Sequence, residues 1–62
     1  MTYTELKKEY VIETIAKGST VIVCDFAAYR MMDCVNMTVA GIQGYIENPD
    51  TKFFKAVPAT NE

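Results

Sequence analysis

The sequence contains no histidine and no tryptophan, and Ser19 is its single serine. Without histidine, neither a Ser-His nor a Cys-His catalytic pair can form. There are only two cysteines, Cys24 and Cys34. Two thiolates cannot fill the four positions of a structural zinc site, and their spacing matches no zinc signature. We therefore expect a protein that is not an enzyme and that carries no metal or cofactor.

Neither sign of charge dominates, because six Lys/Arg stand against eight Asp/Glu for a net charge of −2. A general nucleic-acid binder needs a cationic footprint to neutralise phosphates, so this balance argues against nucleic acid as a partner. No apolar stretch approaches the roughly 20 residues of a membrane span. The start, Met1–Glu9, lacks the apolar segment of a secretory signal. We expect a cytoplasmic protein with reduced thiols rather than a disulfide, and no membrane partner.

The length of 62 residues leaves room for one domain, and half of the residues are hydrophobic, which indicates a chain built to fold. A domain this short buries only about 60% of the surface of its unfolded chain, so marginal stability is expected. Small domains commonly compensate with disulfides, a metal or self-association. The acidic, histidine-free, compact character suits the small accessory proteins of bacteria and their mobile elements.

A helix is predicted from Thr4 to Lys17. Apolar and aromatic residues recur near this segment at three- and four-residue spacing and fall on one helical face: Tyr3, Leu6, Tyr10, Val11, Thr14 and Ile15. Thr2 and Glu5 fit a capping box at its start. Gly18 supplies the left-handed residue that commonly ends a helix.

A strand is predicted over Thr20–Phe26, where β-branched and aromatic residues are dense and no helical spacing occurs. The following stretch, residues 27–36, fits either a helix or a second strand. As a strand it would fold back through a turn at residues 26–29, placing Asp25 opposite Arg30 as an ion pair. We favour this hairpin because a lone strand before a helix would leave the sheet few pairing options.

The second helix is predicted from about Val39 to Glu47, with Thr38 as its cap, and the last strand over Lys52–Val57. Residues 58–62 are predicted to be a loose tail. The fold class is thus α+β, a single domain over residues 1–62. The order is α-β-β-α-β with a three-stranded sheet and two helices, and α-β-α-α-β is the alternative.

The hairpin register separates the apolar residues onto two faces of the sheet. Val21, Val23, Met32 and Cys34 fall on one face, and Ile22, Cys24, Phe26, Tyr29 and Met31 fall on the other. Two short helices cover one face but not both, and the uncovered apolar patch would exceed what soluble monomers normally tolerate. The candidate interaction surface is therefore Ile22, Phe26, Tyr29 and Met31. We expect a homodimer, or docking onto another protein.

Two further hypotheses come from different classes of function. Arg30, Lys52 and Lys55 would be the contacts of a weak single-stranded nucleic-acid-binding module. A thiol redox protein would need Cys24 or Cys34 to ionise near neutral pH, and only Arg30 is placed to favour that ionisation. The sequence Gly41-Ile42-Gln43-Gly44 also matches the GxxG loop of KH modules, but here the glycines lie within a predicted helix, where close packing is the simpler reason for them.

Overall fold

The computed structural model describes residues 2–57. The chain forms an antiparallel sheet with helices between its strands. Its elements, in chain order, are β1 (Thr2–Leu6), a 3-10 turn (Lys8–Tyr10), α1 (Val11–Ala16), β2 (Val21–Asp25), β3 (Arg30–Asp33), a 3-10 turn (Cys34–Asn36), α2 (Val39–Glu47) and β4 (Thr51–Val57). The sheet order is β1-β4-β2-β3. The predicted α+β class is confirmed, although the sheet has four strands rather than three.

The predicted hairpin between β2 and β3 is present, and the alternative with an extra helix is wrong. Asp25 lies opposite Arg30 and Val23 opposite Met32, which is the predicted register. The pairing ends at Ile22 and Asp33, one residue before the predicted partnership of Val21 with Cys34. It stops there because Asp33 caps the following 3-10 turn, accepting a hydrogen bond from the Val35 amide at 2.9 Å.

The first predicted helix is wrong at its N-terminal half. Residues Thr2–Leu6 form strand β1, so Thr2 and Glu5 do not make a capping box, and the α-helix begins only at Val11. The physical reason is long-range pairing, because β1 binds the edge of β4 that β2 leaves free. Thr2, Tyr3 and Thr4 favour strand geometry, and this pairing outweighs the helical spacing.

The end of α1 and the start of α2 have the capping residues that the sequence predicts. Gly18 adopts φ +89 after α1, and its amide donates to the Ile15 carbonyl at 2.9 Å. Thr38 caps α2, since its Oγ1 accepts from the Gly41 amide at 3.1 Å. The bounds of α2 agree with the prediction, and β4 begins one residue earlier, at Thr51. The predicted tail lies outside the described residues.

The hydrophobic core lies on one face of the sheet. Its buried residues come from α1, β2, β4, α2 and the turn after β3: Val11, Val21, Val23, Cys34, Ile42 and Phe53. Half-buried apolar residues pack around them, including Leu6, Ile15 and Met32. Since both helices contribute to this single cluster, they cover the same face. The opposite face of the sheet has no helix on it in the described part of the chain.

Candidate interaction face

Alternation along the strands assigns side chains to the face without helices, which we call the open face. It is formed by every second strand residue: Tyr3 and Glu5 of β1, Lys52, Phe54 and Ala56 of β4, Ile22 and Cys24 of β2, and Met31 and Asp33 of β3. Phe54 lies between Glu5 and Ile22, and Cys24 lies between Lys52 and Met31. The centre of the open face is therefore apolar, and its charged groups stand around that centre.

The turn between β2 and β3 extends this face with two aromatic residues. Oδ1 of Asp25 accepts hydrogen bonds from the amides of Ala27 and Ala28 at 3.1 and 3.2 Å, which fixes the start of the turn. The Phe26 amide donates to the Asp50 carbonyl at 2.9 Å, so Phe26 continues the alternation of β2. Tyr29 closes the turn with φ +55, in the left-handed region.

The structure places all four residues of the predicted interaction surface on or beside the open face. Ile22 is half-buried at its centre. Phe26, Met31 and Tyr29 are 52%, 69% and 92% exposed. A shallow groove of about 230 Å³ runs between them, and Cys24, Asp25 and Arg30 complete its lining. These residues form one continuous surface rather than a scattered set.

Sequence reasoning missed the contribution of β1 to this face. Tyr3, 49% exposed, and Glu5 were assigned to a helix, which hid their place beside β4. Phe53 and Phe54 are consecutive in a strand and so point to opposite faces. The structure buries Phe53 in the core and leaves Phe54 half-buried on the open face. The β-branched and aromatic start of the chain was the signal for the missing strand.

Two of the three charged residues of the open face lie on its outer strands. Residues that pair with one another across neighbouring strands form a row of the sheet. Glu5 and Asp33 lie in the same row, on the two outer strands, with Phe54 and Ile22 between them. Lys52 stands in the neighbouring row on an inner strand. Within residues 2–57 the side-chain ion pair is Lys17 with Glu13 at 3.3 Å, on exposed helix surface. Glu5 and Lys52 thus have no ion-pair partner among the described residues.

The three basic residues of the nucleic-acid hypothesis do not converge. Lys52 lies on the open face. Lys55 and Arg30 pair with Val21 and Asp25, which places both on the helix-covered face and at opposite ends of β2. A backbone-tracking groove needs several cations along one surface, whereas the groove beside Phe26 and Tyr29 is lined by one cation, Arg30, together with the carboxylate of Asp25.

The two cysteines lie on opposite faces of the sheet. Both are free and buried, with Cys24 on the open face and Cys34 in the core. Burial raises the pKa of the Cys34 thiol, and the carboxylate of Asp33 raises it further. A reactive thiol needs the opposite shift, because only the thiolate is nucleophilic. The geometry therefore keeps the two sulfurs apart and makes Cys34 a core residue.

A second cleft, of about 250 Å³, lies at the other end of β2. It is lined by the loop after α1 and the turn after β3: Ile15, Gly18, Ser19, Thr20, Val21, Asp33, Cys34 and Val35. Its ionisable groups are the Asp33 carboxylate, which already accepts from the Val35 amide, and the protonated thiol of Cys34. Among residues 2–57 no three His, Cys, Asp or Glu side chains are grouped to hold a metal ion.

The glycines of the GxxG sequence lie inside α2, not in a loop between helices, so the KH arrangement is absent from this segment. Close packing does not explain Gly44 either. A Cβ built on Gly44 meets no atom within 4 Å, and one on Gly41 meets the Thr38 hydroxyl at 3.3 Å. The expectation that small residues bring this helix close to the sheet is therefore wrong for Gly44.

No helix within residues 2–57 combines the length and apolar character required to cross a bilayer. Comparison with protein-family models, with curated proteins and with solved structures found no significant match.

Proposed function

We propose that this chain is a small, non-catalytic protein–protein interaction module that self-associates through the open face. The observation that carries the proposal is the placement of both helices on one face of a four-stranded sheet. The other face presents Phe26, Tyr29 and Met31 to solvent. Contiguous exposed apolar surface of this kind marks interaction sites on soluble proteins.

A second copy of the chain is the partner that best fits this surface. Homodimers with a two-fold axis are the commonest assemblies, because one self-complementary patch suffices. A domain this short also gains the buried apolar area that its own core cannot supply. Packing two sheets about 10 Å apart is an established way to make such a core. The free thiols, held on opposite faces, suit the reducing cytoplasm.

The face is a better contact than the sheet edges. The outer strand β3 has only four residues, and charged Arg30 and Asp33 stand at its two ends. Short, charged edge strands discourage pairing between chains. The other outer strand, β1, carries Glu5. Edge-to-edge pairing would also leave Phe54 and Met31 exposed, so it would not resolve the apolar patch.

The size of the face sets the expected strength of the dimer. Four strands about 4.8 Å apart and about five residues long, at about 3.3 Å per residue, cover roughly 19 by 17 Å in projection. A standard interface buries about 800 Å² on each partner, which is considerably more. We therefore expect a reversible dimer with a dissociation constant in the micromolar range or weaker, rather than a permanent one.

The test is the absolute mass in solution, measured by light scattering after size exclusion, in reductant and over a concentration series up to about 1 mM. Wild-type chain should rise from the monomer mass of 7.0 kDa toward twice that value. Met31→Glu should remain monomeric, since it places a charge on the apolar face. A wild-type mass that stays at the monomer value throughout would refute the proposal.

Val39→Glu is the matched control for this experiment. Val39 is 66% exposed, close to the 69% of Met31, and it lies at the start of α2 on the helix side. An acid is favourable in the first turn of a helix, so the fold should tolerate this substitution. It should dimerise like the wild type. If both variants lost association equally, the effect would come from added charge and not from the open face.

A further inference from the structure

We infer that the two copies pack with their two-fold axis between the sheets and running across the strands, so that Glu5 of each copy contacts Lys52 of the other. This inference rests on the proposed self-association through the open face. It adds the orientation of the second copy and the residues that determine that orientation. Three charged groups on this face, Glu5, Lys52 and Asp33, determine which orientation is favourable.

Aligned face-to-face packing of two identical sheets allows two orientations of the axis. When the axis runs parallel to the strands, the order of the strands is reversed in the second copy, and each residue faces a residue of the same row. The outer strand β1 then covers β3 of the other copy, and Glu5 faces Asp33 in the same row. Two such acid–acid contacts would form by symmetry, one at each side of the interface, and both would be repulsive.

When the axis runs across the strands, each strand covers the same strand of the other copy, and the order of the rows is reversed. When the axis passes between the row of Phe54 and the row of Lys52, Lys52 covers Phe54 of the other copy. Glu5 pairs with Phe54 on the adjacent strand, only about 4.8 Å to the side. The ammonium group of Lys52 can therefore reach the Glu5 carboxylate, and two such pairs form.

The unpaired state of these groups in the single chain supports this orientation. Neither Glu5 nor Lys52 has an ion-pair partner among residues 2–57. The same orientation separates Glu5 from Asp33 of the other copy by the full width of the sheet, and it places Met31 of one copy over Asp33 of the other. Apolar side chains of β2 and β4 then meet at the centre, with opposite charges beside them.

The experiment uses two charge-reversal variants of the full chain, Glu5→Lys and Lys52→Glu. Each alone should weaken the homodimer about tenfold at low salt, because two attractive pairs become repulsive. An equimolar mixture should form a heterodimer of about wild-type strength, since all four charges become complementary. Sedimentation or light scattering on the separate and mixed samples measures both quantities. The differences should shrink near 1 M salt, where the screening length is about 3 Å.

The mixture distinguishes contacts between chains from contacts within one chain. Glu5 and Lys52 are also diagonal neighbours in the same sheet, so each variant changes repulsion inside its own chain, but mixing cannot relieve that effect. A wild-type dimer with no recovery on mixing would overturn the inference while leaving self-association intact. A stronger homodimer of Glu5→Lys would also overturn it, because a lysine facing Asp33 indicates the parallel axis. A monomeric wild type would instead refute the proposed function.

Discussion

At the scale of single residues, the backbone of Tyr29 carries a cost that the fold does not explain. It is the one non-glycine residue among those described with positive φ, and its side chain is 92% exposed. A left-handed residue with a Cβ costs roughly 1–2 kcal/mol, and glycine or asparagine usually takes such positions. Since the ring buries almost nothing within the described chain, its place is consistent with the proposed self-association through the open face.

Replacing Tyr29 by glycine should therefore separate stability from association. We expect the free energy of unfolding to stay the same or rise by up to about 1 kcal/mol, because relief of the strained φ offsets the added backbone entropy. The dimer should become weaker. Urea unfolding at low protein concentration and light scattering at high concentration measure the two effects.

Ala28→Gly is the control for this substitution. Ala28 lies in the same turn without positive φ, so glycine there should lower stability slightly through backbone entropy alone. If Tyr29→Gly lowered the free energy of unfolding by more than about 1 kcal/mol, the prediction would be wrong, because the ring would then stabilise the folded monomer.

The raised pKa of Cys34 predicts a loss of stability in alkaline solution. The folded state keeps the thiol protonated to a higher pH than the unfolded chain, whose cysteines ionise near pH 8.5. The contribution of the protonated Cys34 thiol to the free energy of unfolding is therefore complete below about pH 8.5. It is lost as the pH rises toward the folded-state pKa. Urea unfolding from pH 7 to 10 should show a steeper decline for the wild type than for Cys34→Ala. Parallel declines would assign the pH dependence to other groups.

At the scale of elements, one long side chain connects the beginning of the described chain to the end of α2. Nζ of Lys8 donates to the carbonyl of Asn48 at 2.7 Å. Asn48 is the C-terminal cap of α2, where the helix dipole favours a cation. The contact holds the segment between β1 and α1 against the helix that covers the core.

Lys8→Met should lower the free energy of unfolding by about 1 kcal/mol, because it removes a charge-assisted hydrogen bond and leaves the aliphatic packing. The neighbouring Lys7 is exposed and makes no side-chain hydrogen bond among the described residues, so Lys7→Met serves as the control. Its effect should stay within about 0.5 kcal/mol. Equal losses in the two variants would show that overall charge, not this contact, determines the effect.

The elements also show how far the sequence alone leads. Local signals were sufficient for α2, whose cap, stripe and turn residues are all neighbours in the chain. The β2–β3 hairpin followed from the need of β2 for a pairing partner, because the local pattern of residues 27–36 fits a helix equally well. Strand β1 was not predictable in the same way. Its pairing partner is β4, at the other end of the described chain, and the spacing of Leu6, Tyr10 and Thr14 also fits a helix. Leu6, Val11 and Ile15 of the predicted helical face pack on the core in the structure. Tyr3 and Tyr10 of the same predicted face are 49% and 46% exposed, so the predicted apolar face was only partly right.

The same reasoning explains which part of the open face was foreseen. The hairpin residues followed from a local register, so Ile22 and Met31 were placed together from sequence alone. Phe54 joins that face through its pairing with Ile22, and Glu5 joins it only through the pairing of β1 with β4. Among the charged groups of the open face, Glu5 was consequently out of reach of the sequence.

At the scale of the whole molecule, substitutions of the adjacent residues Phe53 and Phe54 should affect different properties, the first the stability of the fold and the second the proposed self-association. Phe53 is 1% exposed in the core, and Phe53→Ala should cost about 3–5 kcal/mol, enough to unfold much of so small a domain. Phe54 is half-buried on the open face, so Phe54→Leu should retain the fold and weaken the dimer. Circular dichroism and light scattering on both variants check this. If the two substitutions unfolded the protein to the same extent, Phe54 would have to be part of the core as well.

The position of β4 between β1 and β2 also determines how this chain must fold. Only the β2–β3 hairpin joins strands that are close in sequence. Val57 pairs with Thr2 across 55 positions, and Lys55 pairs with Val21 across 34. Closing such long loops costs entropy before any contact compensates for it, so folding should take milliseconds to seconds rather than microseconds. We therefore expect the hairpin, with its exposed aromatic turn, to form first, and the sheet to remain incomplete until β4 pairs with β2.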